Sequence, residues 1–372
     1  MYTKHKIIAG IGLGLLMSGP VNAAVICATS SAGLEFALAA AEGNGEHDEI
    51  RIASGTYSTI NGGFRYFAES TENFDLTISG GWSEFFENPC GQQLEGSPNT
   101  TLNGQLSDRV LEVKMHDGGN LQISRIAFQN GFVPDPGRGA GLWIRTEVDF
   151  SGSIRLERNL FFNNEARWGG GLSMGIAGSD LGQVHVVNNL FRLNRARFNY
   201  GAVELLLNGG LDQLFGARTT FINNTVVNNL VETTESDSTG GILISGSVPS
   251  KYVINNNLWG NQGLDLRVAG LSSTFSLRNN NFENSAFNQA PTSEAGNISV
   301  VPLYEPCTGL LCFNGVPHPE SELFDGGLEP GMISAWSTGS FDYRGLPRSN
   351  DESIDIGAFE SHARVFADRF EP

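Results

Sequence analysis

Asn159-Leu160-Phe161-Phe162-Asn163-Asn164 decides the architecture, because the same phrase returns down the chain. It comes back as Asn189-Leu190-Phe191-Arg192-Leu193-Asn194, then as Asn224-Thr225-Val226-Val227-Asn228-Asn229, then as Asn256-Asn257-Leu258-Trp259-Gly260-Asn261. Ile126-Ala127-Phe128-Gln129-Asn130 leads the series, and Asn280-Asn281-Phe282-Glu283-Asn284 is a looser last copy. The central apolar residues stand at 128, 161, 191, 226, 258 and 282, with gaps of 33, 30, 35, 32 and 24 residues. A period of about 31 residues is the signature of stacked repeats.

Two further elements keep step with this block. Behind it come small residues and a short apolar strand: Gly139-Ala140-Gly141-Leu142-Trp143-Ile144, Gly169-Gly170-Gly171-Leu172-Ser173-Met174, Gly201-Ala202-Val203-Glu204-Leu205, Gly240-Gly241-Ile242-Leu243-Ile244 and Gln262-Gly263-Leu264-Asp265-Leu266. Ahead of it lie runs such as Ser153-Ile154-Arg155-Leu156 and Tyr252-Val253-Ile254. The alternation of two apolar residues around one variable residue is that of a strand with one buried face. Short strands joined by turns make one coil of an all-β parallel β-helix, a single-stranded solenoid. A lone coil cannot bury its apolar face, but copies stacked about 4.8 Å apart form a continuous core. Helices are excluded, since Asn-Asn and Gly-Gly clusters every few residues would break them. Asn suits such coils twice over: it tolerates left-handed turns, and stacked Asn side chains can bond along a ladder.

Composition agrees. The 372 residues include 47 Gly and 33 Asn, and 40 acidic residues against 23 basic leave a net charge of −17. An acidic chain without a basic run is a poor ligand for nucleic acid, whose phosphates need clustered Lys and Arg. No stretch beyond the N-terminus is long and apolar enough for a membrane helix. Residues 1–23 carry Lys4 and Lys6, an apolar run over 7–17, then Val21-Asn22-Ala23, the layout of a secretory signal cut after Ala23. Export permits disulfides among Cys27, Cys90, Cys307 and Cys312. Cys307 with Cys312 would clip a local loop and Cys27 with Cys90 would tie the N-terminus to the first coils, one of three connectivities open to four cysteines.

An amphipathic segment over 32–42, with Ser30 or Ser31 as N-cap and Gly43 beyond its end, predicts a helix closing the N-terminal mouth. The expected organisation is a signal over 1–23, a cap helix and first strand over 24–60, and coils over 61–290. Irregular, Pro-rich closure of the C-terminal mouth follows over 291–361, then a tail over 362–372.

Three stretches carry a resemblance. They are Gly33-Leu34-Glu35 through Gly55-Thr56-Tyr57, then Ile78-Ser79-Gly80-Gly81-Trp82 through Arg109-Val110-Leu111, and finally Asp342-Tyr343-Arg344-Gly345-Leu346-Pro347-Arg348 with Ile354-Asp355-Ile356-Gly357-Ala358-Phe359-Glu360. Together they resemble secreted bacterial right-handed parallel β-helix proteins of the pectate-lyase-like superfold, with a choice-of-anchor type C-terminal segment, related to polymorphic outer-membrane proteins. The tail Phe366-Ala367-Asp368-Arg369-Phe370-Glu371 is similar to a short sorting tag of exported bacterial proteins. The resemblance implies an exported or cell-surface protein acting in recognition or adhesion, with glycans as partners. It implies as alternatives a polysaccharide lyase or glycoside hydrolase, or a passive surface module.

Hydrolases of that superfold use grouped Asp residues, including an adjacent pair, and lyases use Asp clusters for calcium. This chain has no Asp-Asp pair. The outward position of the Gly-led strand reads Trp143, Ser173, Glu204, Leu243 and Asp265. Glu204 and Asp265, two coils or roughly 10 Å apart, are the candidate catalytic carboxylates. Trp143, Trp168 and Tyr200 offer aromatic faces to sugar rings, and Arg138, Arg167, Arg195 and Arg197 offer guanidinium groups to uronate carboxylates. No metal ligand set is read. Calcium, were it bound, would sit at Asp351, Glu352 and Asp355 near the closing segment, an acidic group that otherwise reads as solvated surface.

Overall fold

The computed structural model describes residues 24–361 except 61, 71, 85–87, 117, 148–149, 178–181, 209–216, 308–312, 332–335 and 349–352. The expected signal over 1–23 and the tail over 362–372 lie outside the described residues. Every turn of the chain visits three parallel sheets in the same order. Ser153–Glu157, Leu160–Phe162 and Leu172–Ala177 form one such coil, and Gln183–Val187, Leu190–Arg192 and Val203–Asn208 form the next. Stacking gives a ten-stranded first sheet and eight-stranded second and third sheets. A three-stranded ribbon of Glu165–Trp168, Arg195–Asn199 and Leu230–Val231 is inserted between the second and third. The fold is an all-β parallel β-helix.

Register follows from the repeat. Phe161 pairs with Phe128 and Phe191, so identical side chains meet inside. Their rings stack with centroids 5.0 and 4.6 Å apart, the coil spacing itself. The Gly-led corner is small because backbones touch there: a Cβ on Gly170 would lie 2.2 Å from the Arg195 carbonyl.

The repeated Asn pair divides two tasks between its members. The first member takes the left-handed turn, as at Asn188 (φ 57°), Asn223 (φ 51°), Asn255 (φ 56°) and Asn279 (φ 51°). The second is wholly buried and stacked. Asn159, Asn189, Asn224, Asn256 and Asn280 each donate Nδ2 to the Oδ1 of the next at 2.9–3.1 Å, and half-buried Asn297 accepts the last of these bonds. Asn164, Asn194, Asn229 and Asn261 form a second ladder between the second and third sheets.

The helix Ser31–Ala41 closes the N-terminal end. Ser30 caps it by accepting from Gly33 N at 3.1 Å, and Leu34, Ala37, Leu38 and Ala41 enter the core. Cys27 is bonded to Cys90 with Cα atoms 5.8 Å apart, tying the first strand to the loop after Trp82. Cys307 is also disulfide-bonded. Cys312 lies outside the described residues.

The irregular C-terminal segment is placed differently from the mouth closure expected for 291–361. Ser293–Ala295 adds a last strand to the first sheet, but the chain then turns back along the flank. Asn279 donates to Gly326 O, Asn255 to Leu328 O, Asn223 to Asp355 O and Asn188 to Thr338 O, over successive coils. Val316, Tyr343, Ala358 and Phe359 cover Leu190 and Val227 on the outer face of the second sheet, a separate small core. The physical reason is that this sheet is apolar on both faces and needs a cover. Among the described residues no helix is long and apolar enough to cross a membrane.

Candidate functional site

The structure brings part of the predicted groove together on the outer face of the third sheet. Trp143, Ser173, Glu204 and Leu243 stand in one column of neighbouring strands. The position after Leu243 in that column is Arg267, not Asp265: Leu266–Val268 pairs as Ile242↔Leu266 and Leu243↔Arg267. The sequence alignment is two residues out of register there, which leaves the alternation intact and so hides the error.

Asp265 instead ends the second Asn ladder. Its Oδ1 accepts from Asn261 Nδ2 at 2.8 Å and Asn261 N at 3.2 Å, and its Oδ2 from Glu283 N at 3.0 Å and Asn284 N at 3.3 Å. A ladder that donates in one direction must end on an acceptor, and a carboxylate offers nothing else. Burial raises its pKa, and the hydrogen bonds from Asn261, Glu283 and Asn284 oppose that rise.

Glu204 is only 1% exposed. Its Oε1 takes Arg138 Nη1 and its Oε2 takes Ser173 Oγ at 2.8 Å. The two acids therefore stand in different columns with all their oxygens engaged. The predicted arginines are likewise matched from within: Arg167 with Asp135 at 3.6 Å, Arg195 with Glu232 at 2.6 Å, and Arg197 with Asp135 and Glu165 at 3.1 and 3.2 Å. Guanidinium groups already lie over the indoles, Arg109 and Arg145 on Trp143, Arg138 and Arg167 on Trp168. Tyr200 is half-buried beside them, its hydroxyl pKa raised by burial. This face is an internally neutralised lattice of cations, acids and rings.

Asp355, one of the three residues named for calcium, is buried and accepts from Asp325 N at 2.7 Å and Ser361 N. Asp351 and Glu352 lie outside the described residues.

An open cleft of about 590 Å³ lies elsewhere, between the outer face of the second sheet and the returning C-terminal segment. Leu160, Phe162, Leu190 and Arg192 form its floor, and Phe313, Tyr343, Arg344 and Phe359 its far wall. Gln129, Asn314 and Ser97 bring polar atoms to it. None of these residues stands among the site candidates read from the sequence. Their signal was present: Leu160, Phe162 and Leu190 flank the inward Phe161 and Phe191, so the strand is apolar on its outer face too. No protein-family model, curated protein or solved structure matches the chain.

Proposed function

We propose that the chain is an exported or cell-surface β-helix protein that recognises glycans in the cleft beneath its C-terminal segment. The observation that carries this reading is the lining: aromatic faces of Phe162, Phe313, Tyr343 and Phe359 beside the polar ends of Gln129, Arg192, Asn314 and Arg344. Sugar rings present apolar faces and polar edges, and concave sites with an apolar body and a few convergent polar groups suit them. The resemblance of 342–360 to choice-of-anchor segments, and of the N-terminus to a signal, supports a setting outside the cell. The engagement of every oxygen of Glu204 and Asp265 weighs against cleavage by that pair.

A glycan array run beside a reducing-end and unsaturated-product assay tests the reading. Binding without products is expected, with Phe162→Ala weakening it about tenfold through lost contact area. Products from acidic polysaccharides would favour the lyase or hydrolase alternative. Silence in both assays would leave a passive surface module.

A further inference from the structure

One residue per coil turns left-handed at the corner between the first and second sheets. In the later coils it is Asn, but in two earlier coils it is Arg125 (φ 59°) and Arg158 (φ 58°). Arg gains nothing at such a turn that Asn would not give better, so the turn alone does not account for it. The two side chains belong to adjacent coils and share one cavity of about 260 Å³ with Gln93, Glu95, Phe341 and Gly345.

Both are held at one end only. Arg125 Nη2 donates to Leu94 O, and Arg158 Nη2 to Gly96 O at 3.2 Å. Both Nε atoms are buried without a hydrogen-bond partner, and Arg125 as a whole is 7% exposed. Among the described residues no carboxylate comes within 4.0 Å of either guanidinium, whereas Arg109 and Arg145 share Glu112 at 2.7 and 3.1 Å. Glu95 lines the same cavity from its exposed rim and is the carboxylate that acts on Arg125, whereas Arg158 feels Asp342 and Glu157 ahead of Glu95, none of them within ion-pair distance. Burial pushes Arg125 down to about 10, and Arg158 beside it pushes the same way. Gly345 (φ 91°) keeps the roof thin: a Cβ there would meet Arg158 Nη2 at 2.4 Å. Two desolvated like charges with spare donors, set around a small cavity, want an anion.

We propose that Arg125 and Arg158 form a binding site for one oxyanion, a carboxylate or sulfate group held by the paired guanidiniums. The same two chain segments border both spaces, with Gln93, Glu95, Phe341 and Gly345 on this cavity and Ser97, Tyr343 and Arg344 on the larger cleft, so the acid group of a sugar in the cleft would have its place here. That extension rests on the glycan reading; the oxyanion site does not.

The test uses the full chain, with calorimetric titration of sodium sulfate and of galacturonate at constant ionic strength. The control variant is Arg125→Asn/Arg158→Asn, which installs the residue that the fold itself uses at Asn188, Asn223, Asn255 and Asn279. Saturable binding of at least one probe to the wild type is expected, about tenfold or more weaker in the double variant. Glu95→Gln should bind more tightly than wild type. Sulfate binding alone identifies a free anion as the ligand, and galacturonate alone identifies a sugar acid. Binding unchanged in the double variant, or no binding of either probe by wild type, overturns the site. If both probes fail while a neutral glycan binds, the oxyanion site falls and the cleft reading stands.

Discussion

Lys251 shows how far a single side chain can depart from its pattern. It pairs with Thr219 and Phe275 in the inward column of the first sheet and is 1% exposed. Its Nζ reaches Ala269 O at 2.9 Å and Gly270 O at 3.2 Å, with burial pulling its pKa down to about 8. An unfolded lysine keeps its proton to about pH 10.4. Between these values the unfolded chain holds the extra proton, so stability rises with pH from about 8 towards 10. Below 8 the full penalty is present. Lys251→Met should therefore stabilise the protein at pH 7 by on the order of 2–3 kcal/mol and flatten that rise. Urea denaturation at pH 7, 8, 9 and 10 reads both effects. Tyr57, pushed up to about 12 by burial, acts with the opposite sign and only at the alkaline edge.

Among elements, the C-terminal segment is held by buried polar chemistry as well as by its apolar cover over Leu190 and Val227. Arg348 is 1% exposed and donates to Asn188 Oδ1 at 2.6 Å, Gly357 O at 2.7 Å and Glu360 Oε2 at 2.9 Å. Asp342 accepts from Arg344 N, Leu346 N and Glu360 N at 2.8, 2.8 and 3.1 Å. The Asp-Tyr-Arg and Ile-Asp-Ile-Gly-Ala-Phe-Glu phrases are thus the two halves of one buried staple. Burial raises Glu360 to about 8 in spite of Arg348, so docking gains as the pH falls from about 8 and the carboxyl takes its proton. Arg348→Met strips these hydrogen bonds from the buried acceptors Asn188 Oδ1, Gly357 O and Glu360 Oε2 and should cost docking about 3–5 kcal/mol. Limited proteolysis would then release the segment at neutral pH while the circular dichroism of the sheets persists; a protected segment would refute the staple. The cleft shares this fate, since Tyr343, Arg344 and Phe359 form its wall.

Across the whole molecule, coils touch only their neighbours, so stability is a sum of local terms unless something spans them. Two devices do. The returning segment bonds coils from Asn188 to Asn279, and the Cys27–Cys90 bridge closes a separation of 63 residues at the other end. Loop-closure entropy assigns such a bridge about 4 kcal/mol. Cys27→Ser/Cys90→Ser should lower the melting temperature and expose the helix Ser31–Ala41 to hydrogen exchange before the later coils; uniform loss of protection would contradict a local role.

The sequence by itself determined the coil. Its period, its inward Phe column, its Asn pairs and its capping helix are local patterns repeated until no other stacking satisfies them. The assignment of turn and ladder to the first and second Asn needed coordinates, although both tasks were legible in the residue type. Tertiary structure alone decided where irregular chain goes. The Gly-led strand slipped by two residues at Asp265 because alternation is blind to an even shift, and hydrogen-bond supply from Asn261 fixed the register instead. The C-terminal segment lies on the flank because the second sheet is apolar outside as well as inside. That packing makes the cleft and brings Phe341 and Gly345 over Arg125 and Arg158, a juxtaposition that residues more than 180 apart in sequence cannot announce.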